Sequence, residues 1–219
     1  MNKIIAANWK MNKTTKEAKE FLGSFEMAGK NEVIIFPPFM ALPAVSAAVG
    51  REHCGAQNVF YEEKGAYTGE ISPLMIKEFA DYVLVGHSER RALWETNEIV
   101  AKKIKACEKA GLKVIFCIGE AKDQDRKRSL DAQIRKGLGG AKNVIIAYEP
   151  IWSIGTGLTP TPMEIKEAVA FIKSLHECKV IYGGSVTPSN AKEMLAVSDG
   201  LLVGGASLDP GSLMKIASL

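Results

Sequence analysis

Three side chains in this sequence could move a proton beside a carbonyl group. They are Lys10 in Asn8-Trp9-Lys10-Met11-Asn12, His87 in Gly86-His87-Ser88-Glu89-Arg90-Arg91, and Glu149 in Tyr148-Glu149-Pro150-Ile151-Trp152. A carboxylate can accept the proton, a neutral imidazole can polarise an oxygen, and an ammonium can stabilise the oxyanion that forms. Each has a plainer reading when taken alone: a solvated lysine, a structural histidine, a glutamate at a Glu-Pro turn. Arg90 and Arg91 likewise read as surface or ion-pair arginines. Against this, Trp9 and Met11 make an apolar setting for Lys10. His87 stands where a strand gives way to a helical turn, whose N–H groups disfavour imidazolium. Two glycine pairs, Gly183-Gly184-Ser185 and Gly204-Gly205-Ala206-Ser207, follow later apolar runs. One such pair is a tight turn; two on consecutive strands suit a backbone cradle for phosphate. Ser153-Ile154-Gly155-Thr156-Gly157, between Pro150 and Pro160, reads as a mobile tip with stiffer ends.

The elements that must position these groups recur along the chain. Apolar, β-branched runs stand at Ile4–Asn8, Val33–Phe36, Cys54–Gln57, Tyr82–Val85, Val114–Ile118, Val144–Ala147, Val180–Tyr182 and Leu201–Val203. Their mean spacing of about 28 residues fits one strand and one helix per unit. Between them, Thr14-x-x-Glu17 is a capping box leading into Ala18, Phe21, Leu22, Phe25 and Ala28 at helical spacing. Thr161-Pro162-Met163-Glu164 is a second, leading into Ile165, Ala168, Val169, Ile172 and Leu175. Val100, Ile104 and Cys107 form a third stripe, closed by Gly111. The charged piece Glu120 to Arg128 reads as a solvated loop leading to a helix. Continuous apolar strands under helices with one apolar stripe each imply a parallel sheet covered on its outer face. Eight units in order favour an α/β fold of the (β/α)8 barrel type over an open doubly wound sheet, with residues 1–219 as one domain. Chemistry then belongs at the C-terminal strand ends, where Lys10, His87, Glu149 and both glycine pairs stand.

Composition excludes several classes. The chain has 219 residues, 47% hydrophobic and 24% charged, and a formal net charge of +3, too mild to argue for nucleic acid or a membrane surface. Cys54, Cys107, Cys117 and Cys178 show no metal-site spacing, and His53, His87 and His176 are scattered, so no metal and no cofactor is expected. The uncharged stretch from Val33 to Gly50 is broken by Pro37, Pro38 and Pro43 and reads as a strand, a turn and a short helix, not a membrane span. The N-terminal apolar run is too short for a signal peptide, and a cytoplasmic location is expected.

Taken together, the motifs resemble the triosephosphate isomerase family. The resemblance rests on Asn8–Asn12, Val85–Arg91, Tyr148–Gly157, Tyr182-Gly183-Gly184-Ser185-Val186 and Val203-Gly204-Gly205-Ala206, five motifs in the family's order from end to end. That family is itself the standing example of a glutamate base, a neutral histidine and a closing loop. The resemblance implies a TIM barrel without cofactor that interconverts dihydroxyacetone phosphate and glyceraldehyde 3-phosphate. By motif it makes Glu149 the base, His87 the neutral electrophile and Lys10 the cation beside the enediolate, with Asn8 placing the substrate. Backbone N–H groups of Gly155, Ser185, Gly204 and Gly205 would hold the phosphate. Glu89 would orient Lys10 and Asn8. Trp152 would be the lid hinge, exchanging hydrogen bonds between Tyr148 and Glu120, while Tyr182 and Ser185 latch the closed lid. A homodimer is implied, in which Thr68 of the loop Gly65–Glu70 reaches the partner's site.

The chain departs from the family in two ways. It is short for a barrel of ~250 residues, and the stretches from His87 to Glu149 and from Glu149 to Ser185 are compact, so helices are trimmed. The trailing hinge reads Leu158-Thr159-Pro160, where the family often begins with a basic residue. The rival readings are another phosphate-binding barrel isomerase acting on a larger sugar phosphate, and a catalytically silent scaffold.

Overall fold

Eight short strands carry the apolar runs: β1 Ile4–Asn8, β2 Glu32–Phe36, β3 Gly55–Ala56, β4 Tyr82–Val85, β5 Lys113–Ile118, β6 Val144–Tyr148, β7 Lys179–Tyr182 and β8 Gly200–Val203. The computed structural model describes residues 2–27 and 29–219. All strand pairings are parallel, in the order β2-β1-β8-β7-β6-β5-β4-β3. The two outer strands of that order meet through a parallel bridge between Ile35 and Cys54, which closes the sheet into a (β/α)8 TIM barrel.

Successive side chains of a strand point to opposite faces, and here both faces are buried. Ile4, Ala6, Ile34, Leu84, Ile115 and Ile181 belong to the core inside the barrel. Their neighbours Ile5, Ala7, Ile35, Val85, Val114 and Val180 pack outward against the helices. This double burial is why the strands read as unbroken apolar runs in the sequence.

The helices are α1 Thr15–Gly23, α2 Leu42–Val49, α3 Pro73–Lys77, α4 Ser88–Leu93, α5 Asn97–Lys109, α6 Arg126–Gly137, α7 Pro162–Leu175, α8 Ala191–Val197 and α9 Pro210–Ala217. Both capping boxes form, at Thr14 with Glu17 and at Thr161 with Glu164. The α5 stripe buries Val100, Ile104 and Cys107, and Gly111 turns the chain away at φ 70°. Three expectations need correction. α1 stops at Gly23, with the Ser24 N–H turning back to Phe21 O, so Phe25 lies past the helix although its ring still stacks on Phe21 at 5.4 Å; Ala28, the end of that stripe, lies outside the described residues. β3 spans two residues, because Cys54 makes only the closing bridge and Gln57 turns to other work in the site. Residues 120–128 are not one solvated loop: Glu120 is buried, and α6 has already begun at Arg126.

Among the described residues no helix is long and apolar enough to cross a membrane.

Candidate active site

Every group singled out for chemistry emerges at the C-terminal mouth of the barrel. Lys10 lies two residues beyond β1 with φ 53°, a left-handed conformation that costs a non-glycine residue about 1–3 kcal/mol. Its surroundings over-determine that backbone. The Lys10 N–H donates to Asn8 Oδ1 at 3.0 Å, and Gln57 Nε2 donates to Lys10 O and to Phe36 O, each at 2.8 Å. The ammonium donates to Glu89 Oε1 at 2.6 Å. Glu89 therefore pairs with Lys10, while Asn8 is held to Lys10 and not to Glu89. Trp9, between them, points the other way into the helix layer and meets Phe21 edge-on at 4.9 Å.

His87 is the N-cap of α4, and its Nδ1 accepts the Glu89 N–H at 3.2 Å. A ring nitrogen that accepts a hydrogen bond leaves the proton on the other, so Nε2–H faces the cavity. That Nε2 lies 3.2 Å from Glu149 Oε1, yet the N–H is not aligned on it, and Oε1 is buried without a hydrogen bond. The second oxygen, Oε2, accepts the Ser88 N–H at 3.2 Å. Glu149 is 2% exposed and sits where backbone must pass very close. A Cβ on Gly183 would stand 3.0 Å from Glu149 Cγ, and one on Gly119 would strike the Glu149 carbonyl. Cys117, inside the barrel beside Glu149, has its thiol pushed well up by burial and then by the charge of Glu149, so it is a neutral neighbour of the carboxylate.

A cavity of about 290 Å3 gathers Asn8, Lys10, His87 and Glu149 with Gly155, Ser185, Gly204 and Gly205. The Lys10 stem crosses Gly204, within 3.4 Å of where a Cβ would stand. A larger cavity of about 440 Å3 opens on the far side of Glu149, toward Arg91, Asn97 and Gln133, and touches neither Lys10 nor the glycine pairs. The smaller one holds the convergent chemistry.

The segment expected as a lid borders this cavity through Ile154, Gly155 and Gly157. Ser153, expected as the first residue of the mobile tip, is instead fully buried and fixes its root. Ser185 Oγ donates to Ser153 O at 2.6 Å, the Ser185 N–H reaches Ser153 Oγ at 3.4 Å, and Ser153 Oγ lies 3.2 Å from the Tyr182 hydroxyl. A Cβ on Gly184 would collide with both Tyr182 and Ser153. Tyr148 donates its hydroxyl to Glu120 Oε1 at 3.0 Å. Burial raises the Glu120 carboxyl above the usual range, opposed by the Tyr148 hydroxyl, its own backbone and the Trp152 indole. Thr68 lies exposed on the loop between β3 and α3, apart from its own chain's cavity.

A family model described as triosephosphate isomerase matches residues 3–219. The chain belongs to the triosephosphate isomerase family. A triosephosphate isomerase from Thermodesulfovibrio yellowstonii is 45% identical, covering 98% of each chain. Proteins of the same name from Aquifex aeolicus and Dehalococcoides mccartyi are each 42% identical, covering 99% and 97% of this chain. The first alignment runs over 241 residues against the 219 here, so that triosephosphate isomerase carries residues this chain lacks.

Sequence reasoning gave no role of their own to Gln57 and Ser88. Gln57 could have been suspected as a polar residue just past an apolar run. Ser88 acts through its backbone N–H, which leaves no mark in residue type.

Proposed function

We propose that the chain, a single barrel over residues 1–219, interconverts dihydroxyacetone phosphate and D-glyceraldehyde 3-phosphate through an enediolate. The observation that carries this reading is the cavity in which an unpartnered, buried carboxylate oxygen of Glu149 lies beside His87 Nε2, with Lys10 and two glycine pairs lining the same space.

In this reading the phosphate lies against the backbone of Gly155, Ser185, Gly204 and Gly205. Their N–H groups offset its charge without a counter-ion. Lys10 Nζ leaves part of its contact with Glu89 to face the substrate oxygen. Asn8 holds the strained Lys10 backbone in place, and Glu89 limits where the ammonium can swing. Glu149 exchanges its hold on the Ser88 N–H for the substrate carbon and removes a proton from it. His87, donating from Nε2, stabilises the oxygen that becomes negative and carries the proton between the two oxygens. Glu149 then returns its proton to the neighbouring carbon. The lid hinges at Trp152 between Tyr148 and Glu120, with Tyr182 and Ser185 holding its root, and its closure keeps water from the enediolate.

The working form is a homodimer in the cytoplasm, with Thr68 of each chain entering its partner's site. Of the eleven large apolar side chains exposed among the described residues, Met11, Met27, Met40, Tyr67, Leu74, Met75, Leu93 and Trp94 lie in the segments after β1 to β4. Apolar exposure weighted to these segments supports a face that a second copy covers.

A coupled assay with glyceraldehyde 3-phosphate and with dihydroxyacetone phosphate tests the activity directly. Turnover in both directions, without added metal or nucleotide at the isomerase step, is the expected result. A protein that binds 2-phosphoglycolate but turns over neither substrate would be a silent scaffold.

A further inference from the structure

Arg126 opens α6, and its guanidinium is hydrogen-bonded to the start of α7 and feels the charge of the residues where the lid begins. On the trailing side, Nη1 donates to Glu164 O at 3.4 Å and Nη2 to Glu167 Oε2 at 3.1 Å. Both acceptors stand at the start of α7, which the capping box of Thr161 and Glu164 has already made rigid. On the leading side Arg126 stands six residues after Glu120, whose carboxylate accepts the Tyr148 hydroxyl at 3.0 Å, and both groups act electrostatically on its guanidinium. Burial opposes the charge of Arg126, and Tyr148, Glu167 and Glu120 together outweigh it. A planar fork of five donors can serve several acceptors at once, which a lysine cannot.

The consequence is geometric more than energetic. Glu167 is 60% exposed, and ion pairs so open to water add little stability. The lid, however, is a short segment whose closed geometry depends on the separation of its two ends. Residues 154–160 form no helix or strand of their own, and Leu158 is 57% exposed. If α7 drifted relative to β6, the tip would meet the cavity out of register, and small misplacements of this kind cost rate.

We propose that Arg126 is a positioning residue for the lid, tying the start of α7 to the Tyr148–Glu120 hinge so that the tip swings between anchors of fixed separation. Its kinetic consequence rests on the isomerase reading above; its structural consequence does not.

Arg126→Ala and Glu167→Ala break the tie from opposite sides, and the second alters only an exposed side chain, so it does not endanger the fold. Two measurements decide the matter. In protein labelled with 5-fluorotryptophan, the Trp152 resonance should shift or broaden in both variants while those of Trp9 and Trp94 stay in place. In the isomerase assay, kcat should fall about three- to tenfold with KM nearly unchanged, and the methylglyoxal fraction should rise as the enediolate sheds phosphate. Arg126→Lys should recover only part of either change. A Trp152 resonance and a product ratio identical to wild type in both alanine variants would overturn the inference. Wild-type protein without turnover would overturn the isomerase reading instead, and the Trp152 resonance would still decide the role of Arg126.

Discussion

Glu149 Oε2 rests on the backbone N–H of Ser88 at 3.2 Å, while Oε1, buried and without a hydrogen bond, lies 3.2 Å from His87 Nε2. One oxygen is parked and the other is unsatisfied, an arrangement that costs stability in the empty protein. If Glu149 is the base, it would exchange a weak anchor for a substrate proton, and part of the cost of leaving Oε1 unpaired would be relieved on binding.

Removing the carboxylate should therefore separate catalysis from folding. Glu149→Ala is expected to lower turnover by about 10²–10⁴-fold, the range typical of a lost general base. Affinity for 2-phosphoglycolate should remain, because the glycine pairs are untouched, and the melting temperature should not fall, because the unpaired buried oxygen goes with the side chain. Turnover within tenfold of wild type would remove Glu149 from the role of base.

How much of this was legible beforehand follows from what each residue must do. β1, β4 and β8 announce themselves because both faces of each strand are buried and no polar residue interrupts them. β3 does not, since Cys54 and Gln57 look like strand residues while one closes the barrel and the other spends its amide on Lys10 and Phe36. Phe25 continues a helical spacing that Gly23 and Ser24 have already ended, and its stacking on Phe21 satisfies the same apolar demand by another route. Glu120 misleads because charge usually means solvent; the donor that meets its Oε1 lies 28 residues away, at Tyr148, and its Oε2 is buried without a partner. The contacts of Ser88 with Glu149 and of Gln57 with Lys10 depend on backbone groups, which are the same in every residue.

His87 is expected to carry its ring proton on Nε2. Its Nδ1 is committed as acceptor to the Glu89 N–H at 3.2 Å, and a protonated Nδ1 would set two donors against each other. Nitrogen-15 shifts of the histidine ring at pH 7 distinguish the tautomers. A ring protonated on Nδ1 would contradict both the cap and the electrophile role. His87→Asn keeps a side chain able to cap α4 but lacks the reach of Nε2, so it should retain the fold while kcat falls by about two orders of magnitude.

Glu120 gives the lid a pH dependence whose sign can be worked out. Burial raises its carboxyl in the folded protein, more than Tyr148, the backbone and Trp152 lower it. A carboxyl raised on folding favours the native state below its unfolded value, and that contribution is lost as pH rises through the folded value. Glu120→Gln, neutral at every pH, should thus gain melting temperature relative to wild type near pH 8. The difference should shrink as pH falls toward the ordinary carboxyl range. The variant should also lose hinge exchange and turn over more slowly. A stability difference independent of pH would mean that Glu120 is not held in this state.

The dimer can be tested through the loop that follows β3. Its neck is the hydrogen bond from the Phe60 N–H to Ile71 O at 2.9 Å, so residues 61–70 can be replaced by a tight turn without disturbing Asn58, which accepts from Lys103 at 2.6 Å. Within the loop, Tyr67 rests on Phe60 at 4.8 Å but keeps 44% of its surface exposed, so packing on its own chain covers only part of the ring. Met11, 96% exposed one residue beyond Lys10, lies at the edge of the same mouth. If a second copy covers these side chains across a two-fold axis, each loop enters its neighbour's mouth and Thr68 arrives near Asn8 and Lys10 from outside. Intact protein should then sediment as a dimer at micromolar concentration, and the shortened protein as a monomer. The monomer should keep Asn8, Lys10, His87 and Glu149 but lose most of its turnover, because the strained backbone of Lys10 at φ 53° is left with support from one chain only. Its affinity for 2-phosphoglycolate should fall much less than its kcat, since the glycine pairs belong to strands far from the loop. An intact protein that sediments as a monomer with full activity would refute the shared site. It would also mean that Gln57, Asn8 and Glu89 suffice to hold Lys10 in place.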